Sequence, residues 1–178
     1  RRQRQMCIRD SGNSITSRVP LLFNDDLIIS KAHVESSMDL PYKNGCADEV
    51  LFIHEGVGTL HSNFGNINLK PGDYLVIPRG VIWEVHVETN MKVLVIESST
   101  PVETPERNRK KFGQLLEHSP FSERDITTPT FVGPVKDRST DLQVRLKNGN
   151  QTFKYKHHPF VIIRWHGFYL RFNFNIND

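Results

Sequence analysis

Between residues 27 and 96 the chain is a rhythm of short apolar runs, each broken by turn residues. The runs fall at 27–32, 50–53, 59–61, 66–69, 74–77, 82–87 and 91–96. Asn24-Asp25-Asp26, Asn63-Phe64-Gly65, Lys70-Pro71-Gly72-Asp73, Pro78-Arg79-Gly80 and Thr89-Asn90 punctuate them. Runs this short and this closely spaced read as β-strands of a sandwich or barrel. Parallel strands need crossovers of a dozen or more residues, and the gaps leave no room for them. The fold class expected is therefore all-β. The apolar runs are also far below the roughly 20 residues that a membrane-spanning helix requires.

Charge is unevenly placed. Five arginines against Asp10 give residues 1–18 a net +4, while the whole chain carries +3. The body is then close to neutral at −1, so the basic footprint of a nucleic-acid-binding protein is missing from it. Residues 1–18 also lack apolar periodicity. They read as a transit segment, a disordered basic arm or a translated artefact of sequence assembly, and fold reasoning starts at residue 19. The two cysteines, Cys7 and Cys46, form neither a disulfide framework nor a zinc motif. A reducing, cytoplasmic setting is expected from that usage.

Five prolines punctuate residues 99–140, whose helix-compatible window is 106–118. This stretch reads as an extended surface connector with one short helix. Strands resume at 142–146 and 151–156 around Asn148-Gly149, a strong hairpin signal. Further apolar segments follow at 160–165 and 168–174. The organisation expected is a leader (1–18), a barrel (19–98), a connector (99–140) and a β hairpin with added strands (141–178). The apolar patch at 165–174 is expected to be an exposed docking surface.

Two segments carry a resemblance. EVLFIHEGVG (49–58) and KPGDYLVIPRG (70–80) are similar to the two conserved motifs of the cupin superfamily, which implies a double-stranded β-helix jelly roll. Glu49 stands where the motif glutamate belongs. The motif histidines are absent: Asn44 and Gly45 precede Glu49, and Trp83 occupies the place of the second-motif histidine. Glu49 and Trp83 are thus vestigial positions of a metal centre, and no two-His, one-carboxylate iron site can be assembled from them. Side-chain alternation sends Glu49, Leu51, Ile53, Trp83 and Val85 inward, and His54 and His86 outward. His61, His118, His157 and His158 lack ligand spacing, and Cys46 has no adjacent base to make it a nucleophile.

A wider resemblance covers most of residues 19–178. FNDDL (23–27), YKNGCADEVLFIHEG (42–56), HPF (158–160), WHG (165–167) and FNFNIND (172–178) resemble the homogentisate 1,2-dioxygenase family, its bacterial forms above all. The resemblance implies an Fe(II) enzyme of tyrosine and phenylalanine breakdown that opens the homogentisate ring with O₂ to maleylacetoacetate. It implies that the iron and all catalytic residues lie in a downstream cupin outside this chain, so no catalytic, cofactor-binding or metal-binding residue is expected here. The partners implied are that catalytic cupin and further copies in a trimer or hexamer. A stand-alone, metal-free cupin module holding a small ligand is the alternative. A metal-dependent cupin isomerase is the weakest reading, because its ligands are missing.

Overall fold

The computed structural model describes residues 11–111, 114–132, 140–160 and 172–175. The strands are β1 (Arg18–Phe23), β2 (Leu27–Val34), β3 (Tyr42–Asn44), β4 (Asp48–Glu55), β5 (Gly58–Ser62), β6 (Gly65–Leu69), β7 (Asp73–Ile77), β8 (Ile82–Val87) and β9 (Met91–Ser98). They continue with β10 (Ile126–Thr127), β11 (Thr140–Leu146), β12 (Gly149–Tyr155) and β13 (Phe172–Asn175). They form a seven-stranded sheet ordered β1-β2-β9-β4-β7-β13-β10 and a six-stranded sheet ordered β12-β11-β3-β8-β5-β6. This is the all-β, cupin-type jelly roll expected from the strand spacing and the turn motifs.

Strict alternation builds the interior. In β9 Met91, Val93 and Val95 point in, with Lys92 and Leu94 outward. In β4 Leu51 and Ile53 point in, and His54 is exposed. In β8 Trp83 and Val85 point in, and Glu84 and His86 face out. The inward residues of both sheets join in one apolar cluster with Leu60, Ile67, Leu69, Leu75 and Ile77. A one-residue slip would turn every one of these side chains to water, so burial pins the register. The turns need glycine where the backbone goes left-handed. Gly56 has φ +88°, and a Cβ there would collide with the Asn90 carbonyl oxygen.

Three expectations are corrected. The leader boundary at residue 18 is too late. Gly12 pairs with Val34, the Asn13 side chain caps the turn at Ile15 and Thr16, and Arg18 opens β1. Among the described residues of the helix window 106–118 there is one 3₁₀ turn, Glu106–Asn108, after which Arg109 is extended and bridges to Leu115. That turn buries no residue, and an isolated helix of about 12 residues is marginal without an apolar face to bury. The barrel does not end at residue 98. β11 adds to β3 in parallel, and β13 adds to β7 antiparallel, so the additional C-terminal strands join both sheets.

The patch expected at 165–174 lies almost wholly outside the described residues. At its end Phe174 is half-buried, with its ring centroid 6.2 Å from that of Phe121. Among the described residues no helix is long and apolar enough to cross a membrane.

Candidate functional site

Glu49 begins the inward face of β4 and is completely buried. Burying a carboxylate without a partner is prohibitive, so the fold must supply charge or donors. It supplies both. Arg18 Nη1 donates to Glu49 Oε1 at 2.7 Å, and its side chain is only 9% exposed. The same nitrogen lies 3.7 Å from Glu97 Oε1 at the end of β9. Asn44 Nδ2 bridges the two carboxylates at 3.1 and 3.0 Å, and Arg145 Nε reaches Glu97 at 3.4 Å. Two guanidinium groups thus balance two carboxylates at one end of the barrel.

The surrounding contacts fix the geometry. Arg18 Nε donates to the Ser14 carbonyl at 2.9 Å, tying the guanidinium to the segment before β1. The Asn44 side-chain oxygen accepts from the Cys46 and Ala47 amides at 3.0 Å, which holds the loop leading to Glu49. The Arg18 guanidinium sits 5.7 Å above the Tyr42 ring, a cation–π distance. Tyr42 in turn meets Trp83 edge to face, with centroids 5.4 Å apart. Burial works against the charge on Arg18, but Glu49 above all, and Glu97, more than offset it and its pKa is raised. Burial first, and Glu49 second, push the Tyr42 phenol up, so it stays neutral.

The Arg18–Glu49 contact is made through one oxygen and one nitrogen. Glu49 Oε2 and Arg18 Nη2 find no hydrogen-bond partner among the described residues, and neither does Trp83 Nε1. A buried orphan of this kind costs on the order of 1–3 kcal/mol. The network fixes charge at one position and leaves some hydrogen-bonding capacity unused.

Glu49 and Trp83, the two positions singled out in the sequence, therefore sit in one neighbourhood, linked through Tyr42. The histidines do not join them. His54 is exposed beside Glu55, and His86 is exposed with Nε2 3.1 Å from Glu84. His61 packs against His86 with ring centroids 4.4 Å apart and planes tilted by 60°, on the outer face of the six-stranded sheet. Burial, and then the charge of His86, hold His61 below the ordinary histidine range. Cys46 is half-buried with its Sγ 3.9 Å from the Arg145 carbonyl. Among the described residues no group of three or more His, Cys, Asp or Glu side chains is arranged to hold a metal ion.

Sequence reasoning missed Arg18, Asn44, Glu97 and Arg145. Glu97 was within reach, because it continues the inward series of Met91, Val93 and Val95. Arg18 lies at the end of the basic, aperiodic segment 1–18, which carries no local sign of a buried partner. The space between the sheets is filled: the void lined by Ser14, Leu51, Ile53, Val85 and their neighbours has a volume of about 10 Å³. That is room for one water at most, and its lining is almost wholly apolar. The arrangement can hold charge and shape at the barrel end, and the void described between the sheets is too small for an organic ligand.

Residues 13–176 match the family described as homogentisate 1,2-dioxygenase N-terminal. A protein of Saccharolobus solfataricus, provisionally named a dioxygenase, is 34% identical over 172 residues, covering 96% of this chain and 44% of that protein. The homogentisate 1,2-dioxygenase of Bradyrhizobium diazoefficiens is 28% identical over 153 residues, covering 82% of this chain and 33% of the enzyme. The archaeal protein is the more similar of these two, which corrects the expected leaning toward bacterial forms. The chain thus spans less than half the length of these relatives. A cupin-2 domain protein of Shewanella frigidimarina aligns with TM-score 0.42 and 26% identity, over 46% of this chain and 79% of that one.

Proposed function

Because this chain belongs to the homogentisate 1,2-dioxygenase N-terminal family, we propose that it is the non-catalytic scaffold of a ring-cleaving dioxygenase. The whole protein would use Fe(II) and O₂ to open homogentisate to maleylacetoacetate, in the cytoplasmic breakdown of tyrosine and phenylalanine. The Fe(II) would be bound outside this chain, in a downstream catalytic cupin, and the assembly would be a trimer or hexamer.

The observation that supports the scaffold role is the state of Glu49. The motif carboxylate accepts from Arg18 and Asn44, Trp83 fills the place of the motif histidine, and the neighbouring carboxylate, Glu97, is itself engaged by Asn44 and Arg145. These residues do not fit an iron ion, and no catalytic step runs through them. The filled barrel weighs against the stand-alone ligand-binding module, since an organic ligand needs a cavity of roughly 300 Å³ or more.

An oxygen electrode tests the reading. With homogentisate and Fe(II), the 178-residue chain is expected to consume no oxygen above the blank. The protein extended along its reading frame is expected to consume it steadily. Homogentisate-dependent uptake by the 178-residue chain, abolished by Glu49→Gln, would overturn the assignment of this part as non-catalytic.

A further inference from the structure

Two histidines from different strands meet on the outer face of the six-stranded sheet. In β5 the buried Leu60 lies between Thr59 and His61, so those two face outward. In β8 Trp83 and Val85 point in, so Glu84 and His86 face outward on the same side. The strands are antiparallel neighbours, with His61 opposite Glu84 and Thr59 opposite His86. His61 and His86 are therefore diagonal neighbours, a separation across which rings can touch. Nothing in the spacing along the chain announces this meeting; the β5–β8 register creates it.

The two rings are set up as ligands. Glu84 Oε1 lies 3.1 Å from His86 Nε2. A carboxylate can only accept, so Nε2 carries the hydrogen and the neutral ring keeps its lone pair on Nδ1. A carboxylate on one ring nitrogen is how proteins fix the tautomer of a metal-binding histidine. Burial and the neighbouring His86 favour the uncharged form of His61, whose lone pair is then free as well. The spacing also fits. A metal bound about 2.1 Å from a ring nitrogen lies about 3.2 Å from the ring centroid. Two such rings at about 90–110° have centroids roughly 4.5–5.2 Å apart, and the observed 4.4 Å is at the short end of that range.

The surroundings suit a cation. β5, β6 and β8 contain no lysine or arginine, and Glu88, just beyond β8, lies 3.4 Å from the Thr59 hydroxyl. The His86 side chain is about half exposed, so an ion reaches the pair directly from water. Among the described residues no three His, Cys, Asp or Glu side chains are arranged round one ion. The protein therefore supplies two nitrogens, and water completes the shell. We propose that His61 and His86 form a surface site for a divalent ion of the imidazole-preferring class (copper, nickel or zinc), with Glu84 as the positioning residue. Fe(II) stands below these ions in affinity for such ligands and would leave on desalting. The site is separate from Glu49 and holds whether or not the whole protein cleaves homogentisate.

Calorimetric titration of the tag-free chain with Ni(II) near neutral pH tests it. One ion is expected to bind per chain with micromolar affinity, and Cu(II) more tightly. His61→Ala and His86→Ala are each expected to weaken binding by about a hundredfold, because the second nitrogen no longer binds within the same molecule. Glu84→Ala removes no ligand and is expected to weaken it by about tenfold. His157→Ala/His158→Ala, which removes the other close pair of histidines in the sequence, should leave it unchanged. Bound Ni(II) should also raise the melting temperature of the wild type and not of His86→Ala. His86 faces water, so its variant keeps the test decisive even if His61→Ala folds poorly. Binding no tighter than millimolar overturns the proposal. Binding that survives both single histidine variants, or that vanishes with His157 and His158, overturns it equally.

Discussion

Replacing Arg18 with methionine is expected to cost the fold about 3–5 kcal/mol, the usual penalty for removing one partner of a buried ion pair. The loss comes from what the substitution leaves behind. Glu49 is fully buried and Glu97 nearly so, and both lie within 4 Å of the Arg18 guanidinium. Arg145 is more exposed and touches only Glu97, so it cannot neutralise Glu49. For a chain of this size each kcal/mol moves the melting temperature by roughly 2–4 °C, which makes the expected drop about 10 °C. Arg18→Met/Glu49→Leu should regain part of the loss, because it removes the stranded charge together with its counter-ion. A melting temperature within about 2 °C of wild type for Arg18→Met would show that the guanidinium is not needed to hold Glu49 inside.

Trp83→Ala should cost a similar amount, about 3–5 kcal/mol, by a different route. The indole is completely buried at the centre of the six-stranded sheet and meets Tyr42 edge to face. Truncation removes that contact and leaves a cavity between the sheets, where the present void is only about 10 Å³. His86→Ala, three residues on and facing water, should stay within about 0.5 kcal/mol. Chemical denaturation measures both variants. Equal stability of Trp83→Ala and wild type would place the indole outside the core and shift the register of β8 by one residue.

The inward register of β4 and β8 was legible because period-two alternation is unambiguous in both. Trp83 and Glu49 share faces with Val85, Leu51 and Ile53, and that fixed their burial before any partner was known. The partners were not legible. Arg18 reaches Glu49 across 31 residues, and its basic, aperiodic surroundings give no local sign of order. The later strands were legible as strands and not as members of these sheets. The β3–β11 pair joins residues about 100 positions apart, and nothing local encodes such a pairing. The 106–118 window shows the converse failure: its residues tolerate a helix, but the turn described there, Glu106–Asn108, buries no residue that would hold one in place.

Glu49 ties together the fold, the site and the proposed role, and its preference for a guanidinium over a metal can be measured directly. The chain would be incubated anaerobically with Fe(II), desalted and analysed for metal. The account predicts iron well below about 0.1 per chain, because Glu49 and Glu97, already engaged by Arg18, Asn44 and Arg145 and without a histidine beside them, hold Fe(II) too weakly to survive desalting. One tightly held iron per chain, lost on Glu49→Ala, would contradict it.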